Sequence, residues 1–457
     1  MSSFTMAELV AWNQRLEGCA REAGLDFYPQ EFEICSYEAM LGYEAYTGMP
    51  SHYPHWSYGK AFDRLHTLYR LNLTGLPYEM VINSNPCLAY LMRDNGLLLQ
   101  ILTMAHVYGH NDFFKGNRMF SHTRPELTVE MFKNHAERVR SYVQDPGIGY
   151  AQTERILDAA HAVRFQTNRM PGARQLTTEE RKQRLLDDYY SKLQGENRDS
   201  LNGPSSLEPP DLTKVPLEPE ADLLGFILEY GRLNEWERDL VQIVRNETEY
   251  FLPQVETKIL NEGWASFWHY KLLNRLELSP ELHLEFLTQH HQVIRPVLGG
   301  LNPYHLGFTI LTDLEERFGI EKVFEVRAIE NDRSLIRRYL TRELCEKLHL
   351  FEYIRESETV TISEVADDNG WEKIRNTLCS IVGMGSVPVI KVVAVLPRDQ
   401  TLVLEHEYDG RELELESAGE TLKYLVELWG HPVHLKTNFR GVKTIVCDET
   451  KRLATVE

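Results

Sequence analysis

The sequence predicts an α+β protein that is predominantly helical, with a zincin-like metal-binding core and a small α+β module at its C-terminus. Apolar residues recur at helical spacing through most of residues 1–350, and two histidines lie four apart in one such segment. Strand patterns become frequent only in residues 351–457. We therefore expect one mainly helical domain over 1–350, interrupted by an insertion at about 166–220, and a separate module over 351–457.

The first region mixes helices with short strands. Its pattern predicts a helix over 6–22, strands over 31–35 and 78–82, and helices over 89–114, 126–143 and 152–164. The helix over 89–114 carries both histidines. A strand that leads into a metal-binding helix is compatible with the zincin-like core.

The composition changes between about residues 166 and 220, where six prolines lie among charged and small residues. Such a stretch lacks the apolar surface to order itself throughout, so we expect an exposed, partly flexible insertion. Thr177 and Glu180 have the spacing of a capping box, which predicts that a charged helix begins there and continues to about Leu193.

Helical periodicity returns after the insertion. It predicts helices over 236–250 and 254–276, and Ser279 followed by Pro280 marks the start of another helix. The C-terminal region predicts strands over 387–396, 401–408, 411–416 and 433–438, with helices over 371–382 and 418–429. No catalytic motif occurs in this module, which favours a role in binding or regulation.

Charge and composition exclude several classes of protein. The formal net charge of −19 repels phosphate backbones, and no dense Lys/Arg block offsets it, so we expect no nucleic-acid partner. No segment has the roughly 20 consecutive apolar residues that cross a bilayer. The six cysteines form no Cys-x-x-Cys pair, which is typical of reduced thiols, and Cys87 is expected to be a core residue rather than a nucleophile. The N-terminus lacks a secretory pattern, so we expect the cytoplasm.

The paired histidines His106 and His110 predict a metal site, because residues four apart on a helix point from the same face. This is the spacing of the zincin helix, in which a glutamate directly after the first histidine is the general base. Val107 stands in that position here. A different residue must supply the base if the protein is a hydrolase.

Glu262 is the candidate third ligand, because a carboxylate in such an apolar, aromatic helix requires a buried partner. His269 lies on the same face, roughly 10 Å further along the axis, and lines the same cleft. The alternative is that both histidines are hydrogen-bonded core residues and that Glu262 pairs with a basic side chain. A di-iron bundle would need two Glu-x-x-His motifs, and the one found, Glu346–His349, lies outside the aromatic core.

Other polar residues are candidates for binding and catalysis. His55 and Lys60 lie in a polar, aromatic loop, and Asn83 and Asn85 flank a turn; these four could contact a substrate or could equally serve packing and turn formation. The candidate bases are Glu137, Glu256 and His269, and the sequence does not rank them.

Several blocks together resemble the stage V sporulation protein R (SpoVR) family. They are HWSYGK at 55–60, INSNPC at 82–87, AH at 105–106 with GN at 116–117, NEGWASFWH at 261–269 and NPY at 302–304. The resemblance implies a role in formation of the spore cortex, and in non-sporulating relatives an association with an AAA+ serine protein kinase and a von Willebrand A-domain protein. A fainter similarity, confined to the histidine pair and the Glu262 block, links the chain to glutamate-zincin metallopeptidases.

Two functions remain open on the sequence. The first is a metal-binding adaptor or regulator in the kinase-linked system, which the absence of the zincin glutamate favours. The second is a hydrolase of the peptidase or amidase type, acting on a protein or a cell-wall precursor through His106, His110 and Glu262. Both require a divalent metal, for which zinc is the expected ion.

Overall fold

The structure is a computed structural model of the chain, and it describes residues 4–70, 79–169, 172, 174, 176–199, 208–297, 300–356, 359–367 and 369–456. This part of the chain is predominantly helical, as predicted. Within it, no helix is long and apolar enough to span a membrane.

The helices are α1 Met6–Glu22, α2 Tyr37–Ala45, α3 Trp56–Arg70, α4 Leu97–Gly116, α5 Thr128–Gln144, α6 Gly149–Val163, α7 Thr178–Asp199, α8 Leu223–Tyr230, α9 Glu235–Glu256, α10 Lys258–Arg275, α11 Pro280–Val293, α12 Pro303–Phe318, α13 Ile320–Ile329, α14 Asp332–Tyr339, α15 Arg342–Lys347, α16 Gly370–Ile381 and α17 Leu415–Trp429. The strands are β1 Gln30–Cys35, β2 Glu79–Ile82, β3 Cys87–Met92, β4 Phe351–Glu356, β5 Thr359–Val365, β6 Ile390–Val395, β7 Leu402–His406, β8 Val433–Asn438, β9 Val442–Cys447 and β10 Leu453–Val456.

Elements with a capping signal in the sequence are confirmed. The helix in the predicted insertion begins at Thr178, and the Glu180 backbone N–H donates to Oγ1 of Thr177 over 3.2 Å while the Glu180 carboxylate accepts from the Thr177 N–H over 2.9 Å. Ser279 caps α11 directly before Pro280. Residues 200–207 of the predicted insertion lie outside the described residues.

Three predicted elements are wrong. The predicted loop that carries His55 and Lys60 is mostly helix, because α3 begins at Trp56. The segment expected to begin a helix at Ala89 is strand β3, which lies between β1 and β2 and pairs with both, so its backbone polar groups are hydrogen-bonded along both edges. The helix starts only at Leu97, after Gly96 at the N-cap position. The predicted strand over 411–416 is also wrong, because helix α17 begins at Leu415 with Glu414 as its N-cap.

The chain packs as two compact units, and the predicted division at 350/351 stays a prediction. One unit contains Met1–Ser141 and Glu249–Ser386, and the other contains Tyr142–Thr248 and Val387–Glu457. The first unit therefore joins segments from both sides of the predicted insertion. His106, His110 and Glu262 all belong to it.

The core of the first unit is built around α10, which packs against α4 on one side and α12 on the other. Glycines permit the close approach: a Cβ on Gly109 would lie 2.7 Å from Cα of Ala265, and a Cβ on Gly263 would lie 2.5 Å from the backbone of Gly307. Large aromatic side chains of α10, including Trp264 and Trp268, fill the space around these contacts. The helices are thereby held at a short, fixed separation.

The three-stranded sheet of the first unit has the order β1-β3-β2, with β1 parallel and β2 antiparallel to β3. Met80 and Ile82 of β2 are buried on one side, and the alternation of a strand directs Glu79 to the other side. Strand β2 also packs against α4. This arrangement brings Glu79 to the helix that carries the paired histidines.

The second unit contains a five-stranded sheet in the order β10-β9-β8-β7-β6. Its strands are antiparallel except for β7 and β8, which are parallel and connected through α17. Residues before the C-terminal region complete this unit: Glu220 forms a β-bridge with Val392, and α6 packs on α17. The C-terminal strands thus share one unit with residues from 142–248.

Candidate metal centre

Helix α4 positions the paired histidines inside the first unit. It is buried on all sides from Ile101 to Phe114, and His106 and His110 are 0% and 3% exposed. Because they lie one turn apart, both rings point to the same side of the helix. Burial on this scale requires polar partners for both imidazoles.

Two carboxylates meet the histidines at their Nε2 atoms. Oε1 of Glu79 lies 3.2 Å from Nε2 of His106 and 3.7 Å from Nε2 of His110. Oε2 of Glu262 lies 3.6 Å and 3.4 Å from the same two atoms. The structure therefore brings the three predicted metal ligands together and adds Glu79 to them.

Glu79 was not among the residues predicted from sequence. The sequence around it predicts a strand, but a glutamate at the start of a strand is usually solvated, and nothing local marks it as buried. Its side chain is only 9% exposed, because β2 lies against α4. The ligand atoms of Glu79, His106 and His110 all lie within 4.8 Å of one another.

The site fits a divalent metal ion. In the described part of the chain, Oε2 of Glu79 and Oε2 of Glu262 are buried without a hydrogen-bond partner, as is Oγ of Ser266 one turn along α10. Two ligands bonded to one ion at about 2.0–2.2 Å stand roughly 3–3.6 Å apart, close to the nitrogen–oxygen distances found here. Imidazole and carboxylate are ligands that zinc accepts in proteins.

The charges of the site are strongly coupled. Burial opposes protonation of His110, but Glu262 and Glu79 outweigh it and raise the pKa of His110 to about 10. Burial alone would raise the pKa of Glu262, yet the imidazoles of His106 and His110 hold that pKa well below its usual range. Two carboxylates facing two imidazoles thus require a shared positive charge, from a proton or from a metal ion.

Each histidine has a different partner at its other nitrogen. Nδ1 of His110 lies 2.9 Å from Oδ1 of Asn261, so His110 donates from Nδ1 and directs Nε2 to the carboxylates. Nδ1 of His106 lies 2.8 Å from Nδ1 of His269. His269 was predicted to line the cleft and to be a candidate base; the structure places it behind His106, in contact with the ligand.

The other two candidate bases lie in different surroundings. Glu137 is exposed on α5 and lines a small cavity of about 310 Å³ with Met49 and Phe132. Glu256 is buried at the end of α9, where it accepts hydrogen bonds from Nδ2 of Asn331 and from the backbone of Met384. The role of either residue as a base stays a prediction.

The predicted substrate-binding residues have contacts typical of structural positions. Nδ1 of His55 lies 2.7 Å from Oγ of Ser57 at the start of α3, and exposed Lys60 lies over the ring of Trp56. Buried Asn83 donates to Oγ1 of Thr123 over 2.7 Å. The backbone N–H of half-buried Asn85 donates to the carbonyl of Pro125. Their role in binding stays a prediction.

Comparison with known families assigns the chain. The model described as SpoVR like protein matches residues 3–387, and the model described as SpoVR-like C-terminal domain matches residues 388–439. The chain belongs to the SpoVR family. The boundary between the two SpoVR models falls next to the boundary of the compact units, between Ser386 and Val387.

A SpoVR relative of similar length is the uncharacterized protein YcgB of Escherichia coli (strain K12). It is 32% identical over 453 residues, which cover 90% of this chain and 88% of that protein. No solved structure matches the chain. The zincin-like character of the core therefore stays a prediction.

Proposed function

We propose that this SpoVR-family protein binds one divalent first-row metal ion, with zinc as the expected ion, through His106, His110 and the carboxylates of Glu79 and Glu262. One observation carries the proposal. Two imidazole nitrogens and two carboxylate oxygens converge in a buried place where, among the described residues, Oε2 of Glu262, which faces the imidazoles, and Oε2 of Glu79 have no hydrogen-bond partner. A cation removes the repulsion that these lone pairs otherwise exert on each other.

Elemental analysis of untagged protein tests the metal. We expect close to one equivalent per chain, and a large loss of metal in His106→Ala and Glu262→Ala. Both variants should also lose the thermal stabilisation that a ligand specific to the folded state provides. His122→Ala is the control, because His122 is exposed. Metal-free wild type whose melting temperature does not respond to chelation or added zinc would contradict the proposal.

The biological role we propose is that of a cytoplasmic regulator or adaptor in spore cortex formation that works with a kinase-linked system. Family membership supports this role, and the resemblance to SpoVR proteins supplies the expected partners, an AAA+ serine protein kinase and a von Willebrand A-domain protein. Affinity capture of the chain at native expression level should recover the kinase. A strain that lacks the gene and shows neither a cortex defect nor a changed kinase phosphorylation pattern would refute it.

A second candidate function is metal-dependent hydrolysis, and Glu79 is the observation that favours it. The zincin glutamate is absent at Val107, but β2 delivers another carboxylate to within 3.7 Å of both histidine Nε2 atoms. When bound, the ion would supply Lewis-acid activation. Glu79 would accept a proton from the attacking water, while His106, His110 and Glu262 hold the ion.

Glu79→Gln and Glu262→Gln separate the two roles of a carboxylate. If Glu79 is the base, Glu79→Gln should retain the metal and lower turnover about 10²–10⁴-fold. Glu262→Gln should lose metal and turnover together. Peptide and amide bonds of cell-wall precursors are the substrates to assay. Absence of turnover on every substrate in metal-loaded wild type would leave the regulator as the function.

A further inference from the structure

A row of three buried imidazoles leads away from the metal centre. Nδ1 of His106 lies 2.8 Å from Nδ1 of His269, and Nε2 of His269 lies 2.7 Å from Nδ1 of His290. The three side chains are at most 1% exposed. His106 is on α4, His269 on α10 and His290 on α11, so the row connects three helices.

If all three rings are neutral, their N–H protons can be arranged along the row in two ways. A neutral imidazole has one N–H and one lone pair, so three neutral rings use two protons in the two hydrogen bonds and keep one at an end. In the outward arrangement, His106 donates to His269, His269 donates to His290, and Nε2 of His290 carries the remaining proton. In the inward arrangement every donor is reversed, and Nε2 of His106 carries it.

The surroundings of the two ends differ. Nε2 of His106 faces Oε1 of Glu79 at 3.2 Å, which accepts a hydrogen bond in the inward arrangement. The ring of His290 packs against Tyr270 at 4.7 Å and Phe308 at 5.0 Å between centroids. Tyr270 is itself 37% exposed. The row thus runs from the carboxylates of the metal centre to an aromatic group that reaches the surface.

We propose that His269 and His290 are positioning residues for His106, and that metal binding fixes the row in its outward arrangement. The inference rests on the proposed metal site, because only a metal at Nε2 of His106 requires the lone pair there. Without metal, the Glu79 carboxylate favours the inward arrangement. Occupancy of the site therefore decides whether Nε2 of His290 donates or accepts.

The burial of His269 and His290 favours their neutral forms. His269 and His290 are at most 1% exposed, which disfavours the charged form of an imidazole, and burial lowers the pKa of His290 to about 4. Reversal of the row leaves each ring neutral: a proton departs from Nε2 of His106, one proton crosses each of the two hydrogen bonds, and one is taken up at Nε2 of His290.

Nuclear magnetic resonance of protein labelled with ¹⁵N-histidine reads the arrangement directly, because protonated and unprotonated ring nitrogens have distinct shifts. We expect Nε2 of His290 to be protonated in zinc-loaded protein and unprotonated after chelation. A proton on the same nitrogen of His290 in both states would overturn the reversal. Wild type that binds no zinc would instead refute the metal site itself.

Variants of His290 test the positioning role by zinc affinity in competition with a chelator. His290→Phe keeps an aromatic ring but removes the acceptor, and we expect zinc affinity to fall about 10–100-fold. His290→Asn retains an acceptor near the position of Nδ1 and should lose less. His291→Phe is the matched control, because the adjacent His291 is exposed. Unchanged zinc affinity in a folded His290→Phe would overturn the proposal; if that variant unfolds, His290→Asn and the resonance shifts decide.

Discussion

Two sets of acidic side chains lie beside helices α4 and α10, and their partners differ: one is Asp112 of α4, and the other is Glu79 of β2 with Glu262 of α10. Asp112 accepts from the backbone of Asp26 at 2.8 Å and from Nε1 of Trp264 at 2.9 Å, and it pairs with Arg327 at 3.2 Å. At the proposed metal centre, Glu79 and Glu262 lie 3.2–3.7 Å from histidine nitrogens. Asp112 has a permanent counter-charge in Arg327, whereas the carboxylates of the proposed metal centre pair with imidazoles, whose charge depends on protonation.

A structural buried charge and a ligand site differ in whether the opposing charge is permanent. Burial raises the pKa of Asp112 to about 6, while Arg327 and two hydrogen bonds oppose that rise. Arg327 carries its charge at every physiological pH, so this group is complete. Histidine can lose its proton, so the charge at the metal centre is exchangeable. Exchangeable charge is what a metal ion replaces on binding.

The largest expected effect is that of Asp112→Ala. This change leaves the guanidinium of Arg327, which is 11% exposed, without its carboxylate, and it leaves Nε1 of Trp264 without an acceptor. We expect the free energy of unfolding to fall by about 3–5 kcal/mol, as when one partner of a buried ion pair is removed. Denaturant unfolding with and without zinc measures this loss, which should be the same in both conditions.

Glu262→Ala provides the contrast in the same assay. In metal-free protein His110 keeps Glu79 as a counter-charge, so we expect a smaller loss than that of Asp112→Ala. With zinc present the variant should lack the stabilisation of the wild type, which is about 3–4 kcal/mol at zinc concentrations of 100–1,000 times Kd. Asp26→Ala, which removes a surface carboxylate paired with Lys115, serves as the control. Equal losses for Glu262→Ala in both conditions would contradict the distinction.

Local signals predicted much of the fold. Helix α1 and strand β8 were predicted with the bounds that the structure has, because periodicity and capping act within a few residues. Strand β3 was mistaken for helix because an apolar run fits a buried strand and a buried helix equally well. Its pairing with β2 and with β1, which lies far earlier in the chain, decides between them.

The sequence predicts only part of the candidate site, again because local patterns do not report tertiary contacts. His106 and His110 share one helix, and Glu262 is conspicuous as a charge in an aromatic helix. Local sequence patterns therefore indicate all three residues. Glu79, Asn261 and His290 reach the group only through tertiary packing of β2, α10 and α11. His290 had no distinguishing signal, since its neighbour His291 is equally a histidine and is exposed.

The next prediction tests the close contact between α4, which carries Asp112, and α10, which carries Glu262. Gly109→Ala should place a methyl group 2.7 Å from Cα of Ala265, which is backbone and cannot rotate away. We expect a loss of about 1–3 kcal/mol in the free energy of unfolding, as for overpacking of a core. Zinc affinity should fall too, because His106 and Glu262 lie on the helices that are pushed apart.

Gly18→Ala is the matched control for this change. Gly18 lies in α1, and no described atom lies within 4 Å of a Cβ built there. Replacing a mid-helix glycine at such a position should stabilise the protein by about 0.5–1 kcal/mol and leave zinc affinity unchanged. If Gly109→Ala behaves like Gly18→Ala, the close contact between α4 and α10 does not hold the metal centre.

The last prediction uses the exchangeable charge of the metal centre. The folded-state pKa of His110, at about 10, is above its unfolded value of about 6.5, so the stabilisation from its proton is present below pH 6.5 and lost as the pH rises through 10. A metal ion must displace this proton. Apparent zinc affinity should therefore increase about tenfold per pH unit between pH 7 and 9, and binding at pH 8 should release one proton from His110. Calorimetry in buffers of different ionisation enthalpy measures both quantities. Affinity that stays constant across this range would mean that His110 is already neutral in the metal-free protein, and the metal centre would then lack the exchangeable charge that distinguishes it from Asp112.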